Sequence, residues 1–136
     1  MVGKILLILT VSLPTASGIA ASFTALGFLQ PSDTTSQAYA VSQDGTWVGG
    51  RSDSGFSQAF RWSVAGGMQE LGLLPGQSSS SVFGISDDGQ VLTGSSGSRP
   101  FIWSRAQGMV DIGLLPGMSC GDGWGISGDG DRKSVV

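Results

Sequence analysis

Histidine is absent from this 136-residue chain, and cysteine occurs once, at position 120. Without histidine the chain cannot form a Ser-His-Asp or Cys-His nucleophile, a histidine-ligated zinc site or a histidine proton relay. A lone cysteine excludes an intrachain disulfide and a cysteine-based zinc site. We therefore predict no catalytic residue, no metal site and no cofactor. Cys120 is interpreted as a small loop residue, the alternative being a thiol that links two chains.

Clustered positive charge is also lacking. Seven Lys and Arg stand against ten Asp and Glu, and no basic run occurs. Because phosphate binding needs clustered Lys and Arg, we expect no nucleic-acid partner. No Gly-x-Gly-x-x-Gly stands between a strand and a helix, so the sequence does not support nucleotide binding.

Long hydrophobic runs are missing as well. The mostly apolar stretch Ile5 to Leu13 holds nine residues, far fewer than the roughly 20 of a membrane-spanning helix. It follows a single lysine and precedes Pro14 and a run of small residues, the arrangement of a secretory signal peptide. Residues 1–21 are thus predicted to be a signal peptide. The mature chain, residues 22–136, is expected to be secreted, extracellular or at the cell surface and not to span a membrane; a buried strand or an uncleaved anchor is the alternative.

Glycine, in contrast, is abundant, and a Ser-x-Asp-Gly motif occurs at Ser42, Ser86 and Ser127. Its glycines fall 44 and then 41 residues apart, and a fixed period in this range indicates a repeat architecture. Before each motif, an aromatic and a β-branched residue stand two apart, a spacing that places both on one face of a strand. These pairs are Tyr39/Val41, Phe83/Ile85 and Trp124/Ile126.

Each repeat is predicted to contain four strands. Asp-Gly between apolar runs predicts a two-residue type I′ turn, with positive φ at both residues, joining the first strand to the second. The third strand is Ala59–Trp62, matched by Pro100–Trp103. Glycine-containing turns at 66–67 and 107–108 then lead into the fourth strand.

Four short strands in about 40 to 45 residues are typical of a β-propeller blade. We therefore predict an all-β fold of tandem four-stranded antiparallel blades, β-propeller-like but incomplete; a β-sandwich is the alternative. The blades cover about 36–76 and 80–117, with partial copies at 22–32 and 121–136.

Two blades and two partial copies are too few to close a ring of about four to eight. Unpaired strand edges favour self-association. The third copy also departs from the pattern, because Arg132 and Lys133 occupy the start of its second strand. The sequence is therefore expected to be a truncated piece of a longer repeat protein, or to complete itself by oligomerising.

The order of motifs resembles that of the HAF-type extracellular repeat proteins of bacteria. The matching segments are Ala59-Phe60-Arg61-Trp62, Gly66-Gly67-Met68 and Leu71-Gly72-Leu73-Leu74-Pro75-Gly76. A second copy keeps most of this pattern but departs at Pro100 and Ile102. The resemblance covers nearly all of residues 23–130. It implies export and a repeat fold, and it implies no established activity.

Two further groups of residues were weighed as sites. Asp87 and Asp88 offer two carboxylates, but neighbouring strand residues point to opposite faces and converge poorly on one substrate or cation. A sugar-stacking platform is the alternative to core packing for four strand aromatics, and we predict core packing. Those aromatics are Phe60, Trp62, Phe101 and Trp103.

The predicted function is that of an exported, non-enzymatic repeat module with a structural or interaction role at the cell surface or outside the cell; an unidentified protein or a glycan is the candidate partner. The polar segments Arg51–Ser57 and Gln77–Ser81 differ between copies and are predicted to be contact loops. One alternative is a carbohydrate-binding propeller fragment. The other is a fragment of an exported hydrolase whose catalytic residues lie on other blades.

Overall fold

The computed structural model describes residues 24–131 and the backbone of residues 133–135. These residues form β-strands and no helix, which confirms the all-β prediction. The first four strands make one antiparallel sheet, called sheet 1, and the next four make sheet 2. The last two strands make the terminal hairpin. The strands are β1 (Thr35–Val41), β2 (Trp47–Asp53), β3 (Ser57–Ser63), β4 (Gly67–Glu70), β5 (Ser80–Ile85), β6 (Val91–Ser96), β7 (Arg99–Ser104), β8 (Gly108–Asp111), β9 (Gly123–Ile126) and β10 (Lys133–Val135).

Each four-stranded sheet is a meander in which strands that are neighbours in sequence also pair. The predicted glycine turns close the last hairpin of each sheet, with φ of +64° at Gly67 and +70° at Gly108. The described strands do not close into a ring, so the propeller-like arrangement stays a prediction. The predicted signal peptide, residues 1–21, lies outside the described residues.

The Ser-x-Asp-Gly hairpins are present, but the predicted type I′ turn is wrong. No non-glycine residue in the described ranges has positive φ, so Asp44 cannot take the first position of that turn. Instead the Gly45 amide donates to the Ser42 carbonyl at 2.9 Å, and the second copy forms the same bond. A four-residue turn with serine at its first position and glycine at its fourth is typical of type I. Gly45, at the fourth position, has φ of +72°, and the chain then enters β2.

The core lies between sheet 1 and sheet 2. Its buried side chains are Ala59, Leu71, Leu74, Val82, Leu92 and Phe101. Glycine allows this approach, because a Cβ on Gly49 would lie 2.6 Å from Val82 Cγ1.

The terminal hairpin covers the opposite face of sheet 2. Leu92 approaches Gly49 of sheet 1, whereas Thr93 approaches Gly123 of β9. Since adjacent residues of a strand point to opposite faces, sheet 2 lies between sheet 1 and the terminal hairpin. In the turn of this hairpin, the Gly128 carbonyl accepts a hydrogen bond of 2.8 Å from the Asp87 amide of sheet 2.

The segment that leaves sheet 1 docks on sheet 2. The Leu74 amide donates to Ser96 Oγ at 3.0 Å, and Ser80 Oγ donates to the Gly72 carbonyl at 2.8 Å. Residues 26–29 contact sheet 1 in the same way, through hydrogen bonds from the Leu29 amide to Ser52 Oγ and from Ser36 Oγ to the Gly27 carbonyl. The Leu-Gly-x-Leu sequence therefore forms an inter-sheet contact as well as a turn.

The two predicted contact loops are shorter than expected. Arg51–Asp53 belong to β2 and Ser57 opens β3, which leaves only residues 54–56 as a loop. Ser80 and Ser81 belong to β5 and are buried. The Ser80 hydroxyl accepts from the Ala59 amide and donates to the Gly72 carbonyl, so the polarity of this segment does not indicate exposure.

The third copy does form its second strand. β10 pairs antiparallel with β9, starting at Lys133 opposite Ile126. Among the described residues, no helix reaches the length and hydropathy of a membrane span.

Candidate binding surface

The first strand of each copy contains a β-bulge at an aromatic residue. In β1 the register shifts between Ala38 and Ala40, so Tyr39 lies opposite no residue of β2. The same shift leaves Phe83 of β5 and Trp124 of β9 without a strand partner. A bulge bends the strand and changes the direction of the side chain it carries.

The three bulged rings form an aromatic row, Tyr39–Phe83–Trp124. The ring centroids of Tyr39 and Phe83 are 5.7 Å apart with a 55° tilt, and those of Phe83 and Trp124 are 4.6 Å apart and stacked at 12°. Such pairs contribute about 0.5–1.5 kcal/mol beyond area burial. Phe83 is half-buried between the other two, whereas Tyr39 and Trp124 are 45% and 54% exposed.

Polar contacts fix the Tyr39 end of the row. Gln37 Oε1 accepts hydrogen bonds from the Tyr39 hydroxyl and from Arg51 Nε. The Arg51 guanidinium also lies 5.9 Å from the centre of the Tyr39 ring.

An open cleft of about 420 Å³ adjoins this end and is called the β1 cleft. Val41, which lines it, is 61% exposed. In sheet 2 the pair Ile85 and Leu92 has the strand register of Val41 and Val48, yet Leu92 is fully buried in the core and Ile85 packs against it. The β1 cleft is lined by Thr24, Leu26, Ala38, Tyr39, Ala40, Val41 and Val48.

A second cleft, of about 430 Å³, lies beside Trp47 at the start of β2 and is called the Trp47 cleft. It is largely apolar, and Val64 at its rim is 85% exposed. Its lining residues are Thr46, Trp47, Ser63, Val64, Ala65, Gly66 and Gln69.

Arg61 links the Trp47 cleft to sheet 2. Its guanidinium is buried and lies 4.2 Å from the ring centre of Trp47. Its two terminal nitrogens donate to the Gly89 carbonyl at 3.1 Å and to Gln69 Oε1 at 3.0 Å. Burial lowers the pKa of Arg61, and the charge of Arg105 adds to that effect.

The motif carboxylates hold the turns. Asp44 Oδ1 accepts from Ser42 Oγ at 2.7 Å and from the Thr46 amide at 3.0 Å. Hydrogen bonds from a serine hydroxyl, and then from a backbone amide, lower the pKa values of Asp44, Asp88 and Asp129.

The Asp87–Asp88 pair does not converge. The Asp88 carboxylate accepts from Ser86 Oγ and from the Gln90 amide, while the Asp87 amide bonds to the terminal hairpin. Within the part of the chain that the structure describes, no three His, Cys, Asp or Glu side chains are grouped to hold a metal. Cys120 is exposed with a free thiol.

Of the four strand aromatics considered from the sequence, Phe60 and Phe101 are fully buried. Trp62 and Trp103 are half-buried, and Trp103 packs against the core.

Tyr39, Phe83 and Trp124 were predicted at matching strand positions, but the contacts between their rings were not predicted. A signal was present, because each of these rings stands three residues before the motif serine.

No family model matches the chain, and no curated protein and no solved structure matches it either.

Proposed function

We propose that this chain is an exported, non-enzymatic β-repeat module that acts by binding other macromolecules at the cell surface or outside the cell. The observation that carries the proposal is the open apolar face of sheet 1. Val41 is 61% exposed in the β1 cleft, whereas its counterpart in sheet 2, Ile85, packs against the core beside the fully buried Leu92. An exposed apolar face next to half-exposed aromatic rings is typical of an interaction surface.

The arrangement that we propose for the strands is propeller-like. Sheet 2 packs between two neighbours, and the equivalent serines Ser52 and Ser96 each accept a hydrogen bond from the segment that precedes their own sheet. The resemblance to HAF-type repeat proteins supports a repeat fold and supports export.

Export is tested with the full chain fused at its C-terminus to a reporter that is active only after secretion. We expect activity outside the cytoplasm for the wild type. Leu7→Arg should abolish it, because a charge in the short apolar stretch of a signal peptide prevents export. Ser54→Arg, on an exposed loop, is the control and should leave export unchanged. Retention of the wild-type chain in the cytoplasm would contradict the proposal.

A second function, carbohydrate binding, is favoured by the Trp47 cleft. An indole with nearby hydroxyl and amide groups suits the apolar face and the hydroxyls of a sugar ring. A glycan array is the test, with Val64→Asp expected to weaken binding at least tenfold. Val110→Asp, at an exposed valine of β8, is the matched control. Equal loss in both variants would argue against this cleft.

A further inference from the structure

We infer that the β1 cleft is a docking site for a second copy of this chain, which places the exposed indole of its Trp124 against Tyr39. This inference deepens the proposed interaction function by naming the partner and the surface.

The first argument is the continuity of the aromatic row. Phe83 contacts a ring of the preceding copy and a ring of the following copy. Tyr39 and Trp124 each make one ring contact of this kind among the described residues and remain about half exposed. The row runs in one direction through the repeats of the chain. The Trp124 ring of one molecule is therefore suited to the position that precedes Tyr39 in a second molecule.

The second argument is the difference between matching surfaces of the two sheets. Ile85 and Leu92 of sheet 2 pack against the apolar side chains of sheet 1. Val41 and Val48 lie opposite each other in sheet 1 as Ile85 and Leu92 do in sheet 2, but they line an open cleft. The occupant of this cleft should therefore offer an apolar sheet surface of the kind that this chain uses internally.

At the other end of the described residues, the terminal hairpin offers the exposed Trp124 ring for this contact. Its strand β9 has the bulge that is found in β1 and β5, and it already packs on sheet 2 through Gly123 and Ile126. Its Trp124 stacks on Phe83 and keeps more than half of its surface exposed.

The two docking surfaces are different, so the contact is heterologous. Such contacts generate rings when the rotation closes and open chains when it does not, rather than two-fold dimers. A symmetric dimer that uses one surface twice is a different arrangement, and the experiment below separates the two.

The test measures the mass of the purified full chain by sedimentation equilibrium over a hundredfold range of concentration. We expect the wild-type mass to rise past that of a dimer. Val41→Asp blocks the cleft and Trp124→Ala removes the ring, so each should raise the dissociation constant at least tenfold. Val110→Asp, at an exposed valine of β8 outside the aromatic row and the β1 cleft, is the control and should associate like the wild type.

Mixing the two blocked variants is decisive. Val41→Asp retains Trp124, and Trp124→Ala retains the cleft, so a mixture should form one-to-one heterodimers and nothing larger. Formation of the heterodimer also shows that both variants are folded. Trp124→Phe should restore most of the association that Trp124→Ala loses.

A wild-type chain that stays monomeric, or a mixture that forms no heterodimer, overturns the inference. Two-fold dimers that persist in both variants also overturn it, as does an equal loss in Val110→Asp. An exported monomer would overturn only this inference, whereas a chain retained in the cytoplasm would contradict the proposed function.

Discussion

The guanidinium carbon of Arg61 in sheet 1 lies 4.9 Å from the ring centre of Trp103 in sheet 2. The Trp47 ring is also within contact distance, and the Gly89 carbonyl accepts one hydrogen bond. Arg99 pairs with Asp111, but among the described residues no carboxylate is seen in an ion pair with Arg61. Two indoles and neutral oxygens thus stabilise a buried cation between the sheets.

Arg61→Ala is expected to lower the free energy of unfolding by about 2–4 kcal/mol, because it removes two ring contacts, two hydrogen bonds and packed methylene groups. Arg61→Met keeps most of the packing and removes the cost of burying a charge, so its loss should be about 1 kcal/mol. Urea unfolding followed by tryptophan fluorescence measures both. Equal losses would show that the charge, and not the packing, provides the stability.

Gly89 is predicted to be the least replaceable glycine of the motif turns. Its φ is +67°, and a Cβ there would lie 2.2 Å from the Trp47 ring. Gly89→Ala should cost about 3 kcal/mol or more, from left-handed strain and steric overlap together. Gly45→Ala is the matched control, because φ is +72° there and no atom lies within 4 Å; strain alone should cost about 1 kcal/mol.

The overlap can be separated from the strain in a double-mutant cycle. In a Trp47→Ala background the steric part disappears, so Gly89→Ala should then cost about as much as Gly45→Ala. If Gly89→Ala costs as much in the Trp47→Ala background as in the wild type, the loss comes from strain within the turn and not from overlap with the Trp47 ring.

The strands were predictable from the sequence because local patterns determine them. Alternating apolar residues around Tyr39 and Phe83, with glycines between the runs, were sufficient to place β1 and β5. The turn type was not predictable in this way. Asp-Gly is also compatible with a type I turn in which glycine occupies the fourth position. The hydrogen bond from the Ser42 hydroxyl to the Asp44 carboxylate stabilises that turn.

The candidate surface was less predictable than the fold. A bulge depends on the pairing with the neighbouring strand, so alternation within β1 does not reveal that Tyr39 lacks a partner. The position of Arg61 between two indoles likewise depends on how sheet 1 meets sheet 2. The repeat identified matching positions in the copies, but it did not reveal which of them stay open.

Ser80 is expected to contribute more than its counterpart Ser36. The Ser80 hydroxyl is buried, accepts from the Ala59 amide at 2.9 Å and donates to the Gly72 carbonyl at 2.8 Å. Ser80→Ala leaves a buried amide without this partner and should cost about 2 kcal/mol. Ser36→Ala, at a half-buried position, should cost about 0.5 kcal/mol. Chemical unfolding of both variants provides the comparison, and a larger loss for Ser36→Ala would contradict it.

Acid should destabilise the fold through the motif carboxylates. The pKa of Asp88 lies below its ordinary value of 3.8, chiefly because the Ser86 hydroxyl donates to the carboxylate. Since the folded pKa is the lower one, the stabilisation is complete above the ordinary pKa and is lost as the pH falls through the folded pKa. The free energy of unfolding should therefore be flat from pH 7 to about 5 and decline below that.

Ser86→Ala tests the cause of this decline. Without the hydroxyl, the pKa of Asp88 should rise toward 3.8 in a carboxyl carbon NMR titration, and the slope of stability against pH below 5 should become shallower. Ser104→Ala is the control, because the Ser104 hydroxyl accepts from the Gln107 amide. This variant should change stability equally at all pH values. An unchanged Asp88 titration in Ser86→Ala would mean that the Gln90 amide, and not the serine, lowers the pKa.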